Sequence, residues 1–128
     1  MDCLQINGIR AYGYVGFFPE EKTLGQWFQV NLKVDTDLQT AAQGDDLSQT
    51  LNYAEVVTLT QSIIAAARVD LIETLAVDIL DQILKLDNVC AVQIQLTKEN
   101  PPIPNFSGSV TVQIRRTKNQ MQELNFDG

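Results

Sequence analysis

The chain has 128 residues, of which 45% are hydrophobic and 20% charged, a composition typical of one soluble globular domain covering residues 1–128. Sixteen acidic against nine basic residues give a formal net charge of −7, which disfavours nucleic-acid or anionic-membrane partners. The sequence contains no histidine, so Ser-His and Cys-His nucleophile systems and histidine-ligated zinc are excluded. Any acid–base chemistry must therefore come from lysine, tyrosine, aspartate, glutamate or cysteine.

The two cysteines, Cys3 and Cys90, are far apart in sequence and form no C-x-x-C pair. We expect two reduced thiols packed as small apolar groups, and no metal site. No apolar run reaches the roughly 18 residues that span a bilayer. The first residues lack the basic-then-apolar pattern of a secretion signal. The expected compartment is therefore the cytoplasm, without a membrane partner.

The first third of the chain predicts two strands. Residues 2–14 form the first, and Gly8 interrupts its alternation, which predicts a bulge or turn at that point. Residues 16–27 contain glycine, proline and a charged cluster and are interpreted as a loop. Alternation then predicts a half-buried second strand that pairs with the first; its apolar face consists of Phe28, Val30, Leu32 and Val34.

The middle of the chain predicts two helices. Residues 36–52 are polar and are interpreted as a loop. Residues 53–68 carry apolar side chains at helical spacing, and so do residues 71–86, for which Asp70 is the expected N-cap.

Two further strands are predicted after the helices, around residues 92–97 and 110–114. The segment 98–104 between them contains three prolines, which cannot donate to a sheet, and predicts an extended connector. The tail, residues 117–128, is polar and is expected to be frayed. The order ββααββ predicts an α+β fold, in which an antiparallel four-stranded sheet carries two helices on one face. Because such a sheet has two open edges, we expect subunits to assemble side by side into a barrel.

Four polar residues are candidates for chemistry. Lys98 ends an apolar strand before the proline-rich connector, as expected of a positioned general base or of a lysine that blunts a strand end. Glu73 lies beside the apolar stripe of the second helix. Its carboxylate could accept two hydrogen bonds from a flat heterocycle, or it could lie there only because the helix dipole favours a negative charge near the N-terminus. Tyr53 fits core packing or acid catalysis, and Glu21 fits a solvated charge or a site carboxylate.

Five segments together resemble the dihydroneopterin aldolase family, in that family's order and spacing. They are residues 13–21 (GYVGFFPEE), 25–30 (GQWFQV), 51–56 (LNYAEV), 71–76 (LIETLA) and 97–104 (TKENPPIP). The predicted ββααββ order is also similar to the tunnelling fold of pterin and purine enzymes. The resemblance implies an aldehyde-lyase of folate biosynthesis that needs no cofactor and no metal. Such an enzyme cleaves dihydroneopterin into 6-hydroxymethyl-dihydropterin and glycolaldehyde.

The resemblance also implies a role for each site residue. Lys98 would be the general acid/base, and Tyr53 would help to move the proton that completes the product. Glu73 and the backbone of Ile72 would hold the pterin ring. The backbone of Leu51 would contact the substrate, and Glu21 would bind its trihydroxypropyl side chain. The implied assembly is a homo-oligomer, tetramer or octamer, with pockets between neighbouring subunits.

Many relatives carry histidine where this chain has Val15, a difference expected to affect rate and stereoisomer preference more than pterin binding.

Three alternatives to the aldolase remain open at this point. A dihydroneopterin (triphosphate) epimerase would use the same cleavage, although the segment 16–27 offers only Lys22 to a triphosphate. A non-catalytic pterin-binding oligomer or an acidic interaction module would not need the four candidate residues together.

Overall fold

The computed structural model describes residues 1–119. Its sheet contains four antiparallel strands in the order β1-β2-β3-β4: β1 (Cys3–Gly13), β2 (Gln26–Asp35), β3 (Ala91–Lys98) and β4 (Val110–Thr117). Two long helices, α3 (Tyr53–Ala66) and α4 (Ile72–Leu84), pack on one face of the sheet. The predicted α+β fold with its ββααββ order is confirmed, and two short helices, α1 (Pro19–Leu24) and α2 (Gln39–Gly44), are added to it.

The core lies between the helices and the apolar face of the sheet. Alternation along β2 and β3 sends every second side chain into this layer, while the intervening polar side chains lie on the opposite face. The α4 helix contributes an apolar stripe at helical spacing. The largest fully buried side chains of this layer include Phe28, Leu32, Ile64, Leu75, Ile79, Ile94 and Leu96.

The predicted irregularity in the first strand is a β-bulge. The pairing register between β1 and β2 shifts between Ile6 and Ile9, and Gly8 has a φ of +75°, a conformation that glycine adopts without a Cβ clash. The Gly8 N–H donates to the Asn31 side-chain oxygen at 2.8 Å. Both halves of β1 therefore stay on the same sheet.

Two segments interpreted as loops contain helices. Residues 16–27 include α1, and β2 already begins at Gln26. Residues 36–52 include α2 and a 3-10 turn at Leu47–Gln49. Asp46 caps this turn, since its carboxylate accepts from the Ser48 N–H at 3.0 Å. These elements are six residues or fewer, too short to develop an apolar period.

The prediction that Asp70 is the N-cap of α4 is wrong. Leu71 occupies the cap position, and α4 runs Ile72–Leu84, two residues shorter at its C-terminal end than expected. Asp70 instead accepts from the Lys22 ammonium at 2.5 Å. The Lys22 ammonium thus competes successfully with the helix N-terminus for this carboxylate.

Other expectations are corrected at the ends of the chain. Cys90 is exposed and Cys3 half-buried, and both are free thiols, so Cys90 is not packed as an apolar group. Thr117 ends β4, and the Lys118 N–H donates to the Cys90 carbonyl at 3.0 Å, so fraying does not begin at residue 117. The rest of the predicted frayed tail, residues 120–128, lies outside the described residues. Within residues 1–119 no helix has the length and hydropathy that a membrane crossing requires.

Candidate active site

The helix α1 positions Glu21 inside the protein. Pro19 begins the helix at a position where its fixed φ is favourable and its missing N–H costs nothing. Glu21 follows in the first turn, where its Oε1 accepts from the Phe18 N–H at 3.3 Å. The residue is only 8% exposed, unusual for a glutamate, and such burial requires a partner.

Lys98 is that partner. Its ammonium donates to Glu21 Oε2 at 2.7 Å, and the two side chains are 12% and 7% exposed. Lys98 is the last residue of β3, where its Cα lies opposite Phe28, so it extends from the apolar face of the sheet toward α1. A screened surface pair would contribute little, but here each charge would be poorly solvated without the other. The fold therefore holds a charged ammonium at a fixed place.

Gly16 allows the Glu21 carboxylate to occupy its position. A Cβ on residue 16 would lie 2.3 Å from Glu21 Cδ and 2.5 Å from Oε2, closer than real Cβ contacts come. The Gly16 N–H also donates to the Val69 carbonyl at 3.2 Å, which ties this loop to the connection between α3 and α4. Glycine is therefore required at position 16, because the Glu21 side chain lies too close to leave room for a Cβ.

The N-terminus of α4 forms the facing wall. Ile72 is buried in the first helical turn, as its place in the apolar stripe predicted, whereas Leu71, which was expected on the same stripe, is exposed, and so is Glu73. Because Leu71 at the cap has no polar side chain, it leaves first-turn N–H groups of α4 available to another acceptor. A carboxylate and backbone donors therefore occur side by side at this helix end.

These elements enclose a pocket of about 250 Å³. Its polar lining combines Glu21, Asp70, Glu73 and Lys98. Small-molecule sites usually enclose about 300–1,000 Å³, so the pocket is small for a complete site. Its remaining lining is apolar: Phe17, Phe18, Leu71, Ile72, Pro101, Pro102, Ile103 and Val110.

Tyr53 and Leu51 are not among the residues that line this pocket. Tyr53 is the first residue of α3 and is 61% exposed, although aromatic side chains are usually more buried. Leu51 is buried. Asn52, which lies between Leu51 and Tyr53, caps α3 with its side-chain oxygen, which accepts from the Ala54 N–H at 3.1 Å. One chain thus unites four of the six predicted site residues and presents Tyr53 to the surroundings.

No sequence pattern indicated the residues that fix the proline-rich connector. The Gln26 side chain is buried, and its oxygen accepts from the Asn100 N–H at 2.8 Å. A glutamine at the start of a strand has no distinguishing pattern, so nothing in the sequence indicated this contact. Val15, whose difference from the family pattern was expected to affect rate, is buried in the core and does not line the pocket.

The α+β fold thus carries a pocket whose lining includes a paired lysine and carboxylates, side chains of the kind that can take part in acid–base chemistry. Within residues 1–119, no three Asp, Glu or Cys side chains are grouped closely enough to hold a metal ion. The expected absence of metal and cofactor stays a prediction.

Comparison with known proteins identifies the family. The family model for dihydroneopterin aldolase matches residues 4–115. The chain is 48% identical over 118 residues to a probable dihydroneopterin aldolase of Synechocystis, covering 92% of this chain and all of that one. It is 42% identical over 119 residues to the dihydroneopterin aldolase of Bacillus subtilis, covering 92% and 99% of the two chains.

A solved structure agrees with these matches. Escherichia coli dihydroneopterin aldolase in complex with neopterin superimposes with a TM-score of 0.83 at 28% identity, covering 91% of this chain and 99% of that one. The chain belongs to the dihydroneopterin aldolase family. The predicted family and its class, the aldehyde-lyases, are confirmed.

Proposed function

We propose that this chain cleaves 7,8-dihydroneopterin into 6-hydroxymethyl-7,8-dihydropterin and glycolaldehyde, without metal or cofactor, as a step of folate biosynthesis. The observation that supports this most strongly is the pocket itself. Residues from α1, α4 and β3, far apart in sequence, bring a paired lysine and a helix-end carboxylate to one cavity in a chain of this family.

Glu73 and the backbone of Ile72 recognise the pterin ring. The Glu73 carboxylate accepts from the ring's amino group and the neighbouring ring N–H, an arrangement of two parallel charge-assisted hydrogen bonds. The first-turn N–H groups of α4 suit the ring carbonyl. The apolar residues of the lining pack on the faces of the ring.

Lys98 supplies the proton transfer. As the bond between the first and second side-chain carbons breaks, the second carbon's hydroxyl passes its proton to the Lys98 amine, which has given its own proton to the ring, and glycolaldehyde leaves. The electron pair moves into the conjugated ring imine, whose nitrogen receives a proton from Lys98 through a water. Because the ring is the electron sink, the protein needs to supply only position and protons.

Glu21 has two roles in this proposal. It holds the Lys98 ammonium, and it contacts the hydroxyls of the trihydroxypropyl side chain. Tyr53 and the Leu51 backbone come from a neighbouring copy, where the Tyr53 hydroxyl assists the protonation of the first side-chain carbon that completes the product. The exposure of Tyr53 and the small size of the one-chain pocket support this division.

The assembly in this proposal is a tetrameric ring, alone or stacked as an octamer. The edge strands β1 and β4 would pair between neighbours to close a barrel, which satisfies both open edges. A mass of four or eight chains by light scattering supports the assembly, whereas a monomer at assay concentration contradicts it.

Charge in the pocket supports a substrate without phosphate. Glu21, Asp70 and Glu73 contribute three carboxylates, and Lys98 is already paired with one of them. Lys22 is not part of the lining, and its ammonium is paired with the lining residue Asp70. A triphosphate would meet net negative charge, which argues against triphosphate epimerisation as the main reaction.

The cytoplasm is the compartment in this proposal. The free thiols of Cys3 and Cys90 support a reducing environment, in which exposed cysteines remain unpaired.

The test is glycolaldehyde release from 7,8-dihydroneopterin by purified protein in excess chelator, with chromatography of the pterin products. We expect stoichiometric glycolaldehyde and hydroxymethyl-dihydropterin, with only minor epimer. Pterin binding without glycolaldehyde, or activity lost in chelator and restored by a metal, would contradict the proposal. An epimer as the dominant product would instead identify an epimerase.

A further inference from the structure

Behind Lys98, on the opposite face of the sheet, lies a cluster formed by Arg10, Trp27 and Glu99. Alternation along β3 sends Lys98 toward the pocket and its neighbour Glu99 toward the other face. Arg10 of β1 and Trp27 of β2 extend from that same face, as their register with β2 and β1 requires. The cluster therefore spans three strands without lining the pocket.

Arg10 holds Glu99 with two parallel hydrogen bonds. Arg10 Nε donates to Glu99 Oε2 and Arg10 Nη2 donates to Oε1, each at 3.0 Å. The guanidinium also stacks on Trp27, with its carbon 4.1 Å from the ring centroid. Bidentate pairing combined with stacking requires the planar fork of arginine, and lysine offers neither.

The cluster is connected to Lys98 through the backbone. The Glu99 N–H donates to the Trp27 carbonyl at 3.3 Å, which continues the β2–β3 ladder one residue beyond Lys98. The next N–H, that of Asn100, donates to the Gln26 side chain at 2.8 Å. Strand ends fray when their last hydrogen bonds are weak, and the side chain that Arg10 holds, that of Glu99, lies directly beside the lysine at this strand end.

A second ion pair on the same face provides a matched comparison. Arg115 donates to Asp35 at 3.0 Å, and the side chains are 53% and 24% exposed, against 49% and 28% for Arg10 and Glu99. Arg115 and Asp35 lie at the opposite end of the sheet, where Asp35 pairs with Ala91 at the start of β3. Asp35 lies opposite Ala91 and Arg115 opposite Gln93, seven and five residues before Lys98, which puts them about 24 and 17 Å from the lysine along β3.

We propose that Arg10 is a positioning residue for Lys98: by clamping Glu99 against Trp27, it fixes the end of β3 so that the lysine remains in register with the reacting atoms. This inference rests on the role proposed above for Lys98. Loss of the clamp is expected to lower kcat more than it changes KM, because the residues that hold the ring, Glu73 and Ile72, belong to α4 and do not depend on the clamp.

The test compares Arg10→Gln with Arg115→Gln in the full-length chain. For Arg10→Gln we expect kcat to fall about tenfold with KM within about threefold, because small misplacements of a reacting group are costly. Arg115→Gln should leave both constants within about twofold. Arg10→Lys, which keeps the charge but loses the fork and the stacking, should recover only part of kcat.

Hydrogen exchange gives a second readout that does not depend on the reaction. The Glu99 amide should exchange at least about tenfold faster in Arg10→Gln than in the wild type, and at the wild-type rate in Arg115→Gln. Unchanged Glu99 exchange, equal kcat losses in the two variants, or a rise in KM with kcat preserved would each overturn the proposal. If Arg10→Gln does not fold, Glu99→Gln, which has nearly the same shape, replaces it.

The two proposals fail in distinguishable ways. A wild-type protein without aldolase activity contradicts the proposed function, while the exchange of the Glu99 amide still decides whether Arg10 holds the strand end. An active wild type with an unaffected Arg10→Gln contradicts the positioning role alone.

Discussion

The two parts of the proposed site differ in how firmly one chain holds them. Lys98 and Glu21 are buried, paired at 2.7 Å and enclosed by α1, β3 and α4. Tyr53 is 61% exposed at the start of α3 and contributes nothing to the pocket of its own chain. A single chain thus brings four of the predicted site residues to one pocket and leaves Tyr53 and Leu51 outside it, which is the reason for proposing that these two act across an interface.

The largest effect is expected at the firmly held part. Lys98→Met should lower kcat about 10³-fold, because it removes the group that transfers the proton and leaves the ring anchors in place. Lys85→Met is a matched control, since Lys85 is exposed at the far end of α4, about 18 Å from Glu73. Steady-state kinetics of glycolaldehyde release measure both. A Lys98→Met enzyme within tenfold of wild type would contradict the role of Lys98.

An intermediate effect is expected at the helix end. Glu73→Gln should raise KM about 10- to 100-fold while kcat falls only a few-fold, because the lost charge-assisted hydrogen bonds act in ground and transition states alike. Asp78→Asn, on the exposed side of the same helix, should change neither constant. Binding of neopterin by calorimetry gives the same comparison without turnover. A fall in kcat with unchanged binding would assign Glu73 to the chemistry.

The smallest effect is expected on stability, at the clamp behind the site. Hydrogen bonding from Arg10 lowers the pKa of Glu99 below its usual value. A carboxyl with a lowered pKa in the folded state stabilises the protein above its unfolded pKa of about 4.3, and this contribution is lost as the pH falls through the folded pKa. Urea unfolding of wild type and Glu99→Gln should therefore differ at pH 7 and converge in acid. In an Arg10→Gln background the pH-dependent difference should be absent, and its persistence there would assign it to another group.

Much of the fold could be predicted because long elements impose a period on the sequence. Alternation around Val30 and Ile94 defined β2 and β3, and the interruption at Gly8 located the bulge. The six-residue α1 could not be predicted in this way, since it buries Glu21 where an apolar residue would be expected. Asp70 satisfied the rule for an N-cap, but a contact with Lys22, distant in sequence, decided its place.

The site could be predicted only in part. Residue chemistry and the resemblance indicated Lys98, Glu21, Ile72 and Glu73, and the structure brings these four to one pocket. The pairing of Lys98 with Glu21, the close approach at Gly16 and the support from Gln26 depend on contacts between segments that no local pattern encodes. The roles of Tyr53 and Leu51 stay predictions, because they concern a second copy of the chain.

The division of the site between two copies can be tested by mixing inactive variants. Lys98→Met and Tyr53→Phe chains, co-expressed with different tags in equal amounts, should regain activity, since about one site in four then combines an intact lysine with an intact neighbouring tyrosine. Lys98→Met mixed with Glu21→Gln is the control and should regain nothing, because both residues belong to the pocket of one chain. Recovery to about a quarter of wild-type activity in the first mixture alone is the predicted result. Activity no greater than the mean of the separate variants, in assemblies shown by both tags to be mixed, would contradict a site shared between copies.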